Sequence, residues 1–306
     1  MALAPEIKAF LEAGAGAPQI WETPLSVMRA NTQNRIKTSG PVEAIQQIEN
    51  RFIPGPTADL PIRIYRPTSK KSAPAIVYFH GGGWVLNFLD IYDASLARLA
   101  NQSGATIISV NYQKAPEHPF PIPFDDCYAT LEWVINNAPQ LHIDSNRIAV
   151  AGDSAGANLA SGVAIKARDK GIELACQLLV YPCNSRNFES ASYIEKATGY
   201  GLTTQGMKWF WNAYLQGAVH DQNPYAVPAA SESFAGVAPA IIITAEYDPL
   251  LSDGEEYAHK LRSDGVEVTY SQFDGMVHGF FTNMAVTPTS QVAIGYAAEE
   301  IKRYLL

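Results

Sequence analysis

From about residue 60 the chain alternates between short apolar runs and longer stretches whose apolar positions recur at helical spacing. The strand candidates are Leu60–Tyr65, Ala75–Phe79, Ala105–Val110, Arg147–Ala151, Leu174–Tyr181, Ala240–Ala245 and Val266–Phe273. The middle runs are nearly all apolar, as strands covered on both faces must be. Between them, Ile91–Gln102, Phe124–Asn137, Ala155–Lys170 and Leu251–Ser263 have helical periodicity. Gly104, Gly171 and Gly265 stand just past helix ends, where a left-handed residue closes the last turn. This alternation predicts an α/β fold with a mostly parallel sheet flanked by helices. No internal repeat interrupts it.

Two stretches break the rhythm. Residues 1–50 look helical before any strand begins, and 184–236 is polar, aromatic and Pro-containing, with Trp209, Phe210, Trp211 and Tyr214. A loop of that length in a compact domain is usually functional. The two are expected to pack together as a cap over the edge where catalytic loops gather. The expected division is a cap segment 1–50, core 51–183, a cap insertion 184–236 and core 237–306. Each aromatic taken singly reads more readily as helix core. As substrate contacts the candidates are Trp84, Trp209 and Tyr214.

Composition narrows the class. With 306 residues, 47% hydrophobic and 17% charged, the chain buries roughly three quarters of its unfolded surface and needs no staple. A net charge of −8 argues against nucleic acid, which requires a basic face to displace counterions. Cys127, Cys176 and Cys183 are odd in number and lie in apolar segments, so they read as core thiols in a reducing compartment. The start lacks a basic stretch followed by an apolar run, and nowhere do 18 apolar residues follow one another. A soluble cytoplasmic protein without a membrane span is expected.

The sharpest chemical signal is Gly152-Asp153-Ser154-Ala155-Gly156, directly after one strand and opening a helix. A serine on so tight a turn is held in strained geometry with its hydroxyl clear of the sheet, and its neighbours two residues away must lack side chains. An N-cap serine is the plainer reading of the residue alone; the strand-turn-helix context favours a nucleophile. The second signal, His80-Gly81-Gly82-Gly83-Trp84, follows the Ala75–Phe79 strand. Successive glycines let backbone amides turn toward a substrate carbonyl, which suits an oxyanion hole.

A nucleophilic serine needs a base. Among His80, His118, His142, His220, His259 and His278, chain order in such a fold leaves those after Ser154. His220 lies in the cap segment and His259 within a helix. His278, in the loop Asp274–Gly279, is the expected base. The acid belongs after Ala240–Ala245, where Asp248 is preferred in the turn before Pro249. Glu246 is the runner-up, and Asp253 reads as a first-turn helix residue favoured by the dipole.

Together these motifs resemble the hormone-sensitive lipase family of carboxylesterases, the bacterial family IV esterases. The resemblance rests on His80-Gly81-Gly82-Gly83, Ala115-Pro116-Glu117-His118-Pro119-Phe120-Pro121, Gly152-Asp153-Ser154-Ala155-Gly156, Asp248-Pro249-Leu250 and Gly275-Met276-Val277-His278-Gly279-Phe280. It implies an α/β-hydrolase fold with oxyanion amides from Gly82, Gly83 and Ala155, and a lid from the N-terminal helices and the 184–236 insertion. It further implies hydrolysis of short to medium acyl esters by a Ser154-His278-Asp248 triad, with no metal or organic cofactor. The partner would be a small-molecule ester, and relatives make a homodimer possible. Where the family usually has Tyr-Arg-Leu, Tyr112 is followed by Gln113 and Lys114, so the arginine's ion pair is not carried over. Glu117 is expected to support loops near the serine. An amidase or lactonase would use the same machinery, and some receptors of this fold keep the pocket while lacking part of the triad.

Overall fold

The computed structural model describes residues 2–306. Eight strands form one sheet: β1 (Gln47–Pro54), β2 (Asp59–Arg66), β3 (Ala73–Phe79), β4 (Thr106–Val110), β5 (Ile143–Asp153), β6 (Gln177–Val180), β7 (Ala240–Tyr247) and β8 (Val268–Val277). Their spatial order is β1-β2-β4-β3-β5-β6-β7-β8. The first two strands are antiparallel additions, and every pair from β4 to β8 is parallel. The mostly parallel sheet flanked by helices, expected from the strand-helix alternation, is therefore present.

The period of two in the strands divides the core. Ala75, Val77 and Phe79 of β3 pack with Val150, Leu179 and Ile242 on one face. Ile76 and Tyr78 join Ala149, Ala151, Val180 and Ile243 on the other. Helices Ile122–Asn136, Ala155–Asp169 and Leu251–Ser263 cover the first face; Asp93–Ser103 and Thr289–Leu305 cover the second. Both faces of the central strands are dry, which is why their sequences read as unbroken apolar runs. The glycine stops behave as expected, with Gly104, Gly171 and Gly265 at φ 73°, 70° and 79°.

Three elements differ from expectation. Helical structure in the first 50 residues ends at Ser39, and β1 begins at Gln47. That edge strand leaves much of its surface in water, with Phe52 74% exposed, so it lacks the apolar run that marks a central strand. The strand expected over Leu174–Tyr181 is only Gln177–Val180, and β8 continues past Gly275 to Val277. Cys127, Cys176 and Cys183 are buried free thiols. No helix among the described residues is long and apolar enough to cross a membrane.

Candidate active site

The chemistry-bearing residues meet at the carboxyl ends of the parallel strands, where ligand crevices form in open α/β sheets. As β5 ends, the chain turns at Ser154 with φ 55° and ψ −123°, a conformation costing on the order of 1–3 kcal/mol. Two backbone hydrogen bonds offset that strain: Ser154 N donates to Val180 O at 2.8 Å, and Ser154 O accepts Asn158 N at 3.0 Å. The flanking glycines are required by close approach. A Cβ on Gly156 would collide with the Phe79 carbonyl, and one on Gly152 with the Gly156 backbone.

Sheet register delivers the acid and the base. Tyr247 of β7 pairs with Val277 of β8, so Asp248 and His278 are the next residues on adjacent parallel strands. Asp248 Oδ2 is 2.7 Å from His278 Nδ1, and His278 Nε2 is 2.9 Å from Ser154 Oγ. Asp248 is fully buried, and its Oδ1 accepts the Leu250 amide at 2.9 Å. A carboxylate on Nδ1 places the imidazole proton there and leaves Nε2 to accept the serine hydroxyl. His278 stands at the end of a strand, not within the loop expected from Asp274, because β8 runs through Gly275.

The other candidates are elsewhere. Glu246 accepts the Gly275 amide at 2.7 Å. Asp253 lies in the first turn of its helix, as expected, and is buried, which pushes its carboxyl well above the usual range. His259 stays on its helix, and His220 packs edge-on against Phe120. His80 is also buried, with its pKa lowered to about 3 chiefly by desolvation and next by Lys114. Its Nδ1 faces Gly81 O at 2.8 Å, so it braces the loop.

Gly82 and Gly83 adopt φ 116° and 60°, and among the described residues their amides donate to no acceptor. Ala155 is the first residue of its helix, so its amide has no intrahelical acceptor. Gly82 and Gly83 line the same cavity as Ser154, and Ala155 follows Ser154 in the chain. An unforeseen residue fixes the loop. Asp153 Oδ1 accepts the Gly81 amide at 2.8 Å and the Tyr78 hydroxyl at 3.0 Å, while Oδ2 faces the Tyr92 hydroxyl at 3.3 Å. Asn87 Nδ2 donates to Gly81 O at 3.1 Å, and Tyr112 OH to His80 O at 2.7 Å. Glu117 receives both Nη atoms of Arg29 at 2.7 Å, and Arg29 also reaches the Val85 and Ala115 carbonyls. Its charge partner therefore comes from the N-terminal segment.

A cavity of about 190 Å³ opens at Ser154 and His278, walled by Gly82, Gly83, Leu86, Cys183, Leu202, Met207, Phe210, Arg35 and Gly279 among others. None of the three rings expected at the substrate is in this wall. Trp84 and Tyr214 are fully buried and stack at 4.3 Å, with Trp211 tilted against Trp84 at 4.5 Å. Trp209 lies edge-on to Phe210. Helix Thr204–Leu215 turns Met207 and Phe210 toward the cavity and carries Trp211 and Tyr214 on its core side. Among the described residues, no three His, Cys, Asp or Glu side chains gather in a way that would hold a metal ion.

Comparison with known proteins agrees with this geometry. The family profile of the alpha/beta hydrolase fold matches residues 76–282. The carboxylesterase NlhH of Mycobacterium tuberculosis strain H37Rv is 39% identical over 252 residues, 81% of this chain and 79% of the relative. The arylesterase of Saccharolobus solfataricus is 31% identical over 304 residues, covering 98% of this chain and 99% of the relative. The solved structure of a hyperthermophilic esterase from the archaeon Pyrobaculum calidifontis superposes with a TM-score of 0.93 at 36% identity, covering 99% of each chain. The chain thus belongs to the α/β-hydrolase family, within its hormone-sensitive lipase-like esterases.

Proposed function

We propose that this protein is a carboxylesterase that hydrolyses small-molecule esters through an acyl-enzyme on Ser154. The carrying observation is the unbroken line from Ser154 Oγ through His278 to the buried Asp248 carboxylate. As Oγ attacks the ester carbonyl, His278 Nε2 takes its proton and then delivers it to the departing alkoxide. Water, deprotonated by the same nitrogen, adds to the acyl carbon and releases the acid and free serine. Asp248 stabilises the imidazolium in each half. The amides of Gly82, Gly83 and Ala155 receive the oxyanion of both tetrahedral intermediates.

The cavity's size supports short to medium acyl groups, since about 190 Å³ lies below the ~300–1,000 Å³ of ordinary ligand pockets. Residues 1–50 and 184–236 act as its lid. Phe10, Leu11 and Trp21 face Thr198, Thr203 and Gln205 across one groove, and Leu202, Met207 and Phe210 reach the reacting centre. Ester cleavage is favoured over amide cleavage by the relatives' activities, and a complete triad speaks against a non-catalytic receptor. Buried free thiols support a cytoplasmic setting.

A panel of p-nitrophenyl esters from acetate to palmitate tests this reading. Turnover should be highest among the shorter chains and vanish in Ser154→Ala. Absence of hydrolysis across the panel would overturn it.

A further inference from the structure

Arg35 ends a 3₁₀ turn, Thr32–Arg35, and its side chain forms part of the wall that also contains Ser154 and His278. Its Nη1 donates to Asn87 Oδ1 at 3.2 Å. No carboxylate among the described residues lies within salt-bridge distance of it. The other arginines are committed. Arg29, Arg51, Arg63, Arg98, Arg147, Arg168, Arg186 and Arg303 pair with acids, while Arg66 and Arg262 donate to backbone carbonyls. Asp153, the acid of the cavity wall, already accepts from Gly81, Tyr78 and Tyr92.

A guanidinium carries five N–H donors in a planar fork, and here one is used. The buried Asp153 carboxylate shares this wall and feels the guanidinium's charge, but it lies beyond salt-bridge distance, so the remaining donors of the fork are open to a negative partner in the cavity. The group that best matches a free fork is a carboxylate, bound through two parallel hydrogen bonds. The protein's net charge of −8 repels anions in general, so a local cation beside the reacting centre has most effect on an anionic substrate.

We propose that Arg35 is a specificity-determining residue that binds a carboxylate on the substrate, so that the enzyme favours esters bearing a free acid group. This rests on the esterase reading above. The carboxylate belongs either to the acyl half, as in a monoester of a dicarboxylic acid, or to the alcohol half, as in an ester of a hydroxy acid.

Two matched pairs separate these sources. p-Nitrophenyl hydrogen adipate against p-nitrophenyl hexanoate places the charge on the acyl side; 4-acetoxybenzoate against methyl 4-acetoxybenzoate places it on the leaving group. The quantity read is the anionic-to-neutral ratio of kcat/KM, in which any general effect of a substitution cancels. In Arg35→Met one ratio should fall roughly 10- to 100-fold, chiefly through KM, since a hydrogen bond to a charged group is worth that much. Arg35→Lys should restore part of the loss. Raising salt should lower the same ratio in the wild type, a measurement that stands even if Arg35→Met fails to fold. Ratios that are unmoved by both the substitution and salt would overturn the proposal. Hydrolysis of the neutral hexanoate by wild type, lost in Ser154→Ala, tests the esterase reading independently.

Discussion

The Asp153 carboxylate accepts the Gly81 amide at 2.8 Å, tying the turn that holds Ser154 to the loop that carries Gly82 and Gly83. The proposed nucleophile and the proposed oxyanion donors are thus linked through one buried group. Asp153→Asn, which replaces one acceptor oxygen by a donor, should loosen that loop and lower kcat on p-nitrophenyl acetate. Removing one oxyanion donor costs roughly 10²–10³-fold, and a displaced loop should fall within that ceiling. KM should move less, because ground-state contacts lie elsewhere. Wild-type kcat in a folded variant would show that the link has no bearing on turnover.

Ser154→Ala should reduce turnover by about 10⁴-fold or more with no loss of fold, since triad members act as a unit. An organophosphate should label Ser154 alone. Peptide mass mapping checks this, and label on another residue would displace the assignment.

Two buried acids sit five residues apart and should behave in opposite ways. Asp248→Asn leaves His278 facing an amide, which puts the imidazole in the wrong tautomer and should cost several orders of magnitude in kcat. Asp253 makes no contact with His278 and, pushed up by burial, holds a proton that the unfolded chain loses above ~4. In that window the native state binds more protons, so this group's contribution falls as pH rises. Asp253→Asn should therefore keep activity and raise Tm at neutral pH, with the gain shrinking toward pH 4. Loss of rate in Asp253→Asn with survival in Asp248→Asn would reverse the choice of acid.

His80 should impart acid sensitivity. In the unfolded chain a histidine titrates near ~6.5, whereas here burial lowers the pKa to about 3. Between these values the unfolded state takes up a proton that the native state refuses, so stability falls as pH drops and is fully kept above the upper value. His80→Asn, which keeps a donor where Nδ1 meets Gly81 O, should flatten this part of the profile by up to about 1.4 kcal/mol per pH unit. Urea unfolding at several pH values measures the slope. Equal slopes in both proteins would remove His80 from the account.

Strand-helix alternation made the central sheet legible because β3 to β7 are covered on both faces and their apolar runs have no other explanation. That Ser154, His278 and Asp248 come together was legible for a related reason: each follows a strand, and chain order in this architecture is restrictive. β1 was not, since an edge strand with one wet face reads as any polar segment. Asp153 and Arg35 carried no signal either. A buried acid cannot be told from a solvated one before its donors, Gly81, Tyr78 and Tyr92, are brought together, and these are more than 60 positions away in the chain. For helix Thr204–Leu215 composition singled out Trp209 and Tyr214, whereas Met207 and Phe210 are the residues of that helix in the cavity wall. Which rings face the cavity depends on the helix's rotation, and that is set by Trp84 packing onto Tyr214.

That rotation gives the last prediction. Phe210 reaches the cavity and presses on Gly83, where a Cβ would collide with its ring. Phe210→Ala should therefore open space beside the acyl group and shift the preference toward longer p-nitrophenyl esters through kcat/KM, while acetate is still turned over. Trp211 is buried against Trp84 and out of the wall. Trp211→Ala should instead cost about 3–5 kcal/mol of stability and leave chain-length order unchanged in the fraction that folds. Trp209, edge-on to Phe210 and outside the wall, should give the smallest shift of the three. If the order of effects on chain-length preference were Trp209 or Trp211 above Phe210, the cavity beside Ser154 would not be where the acyl chain binds.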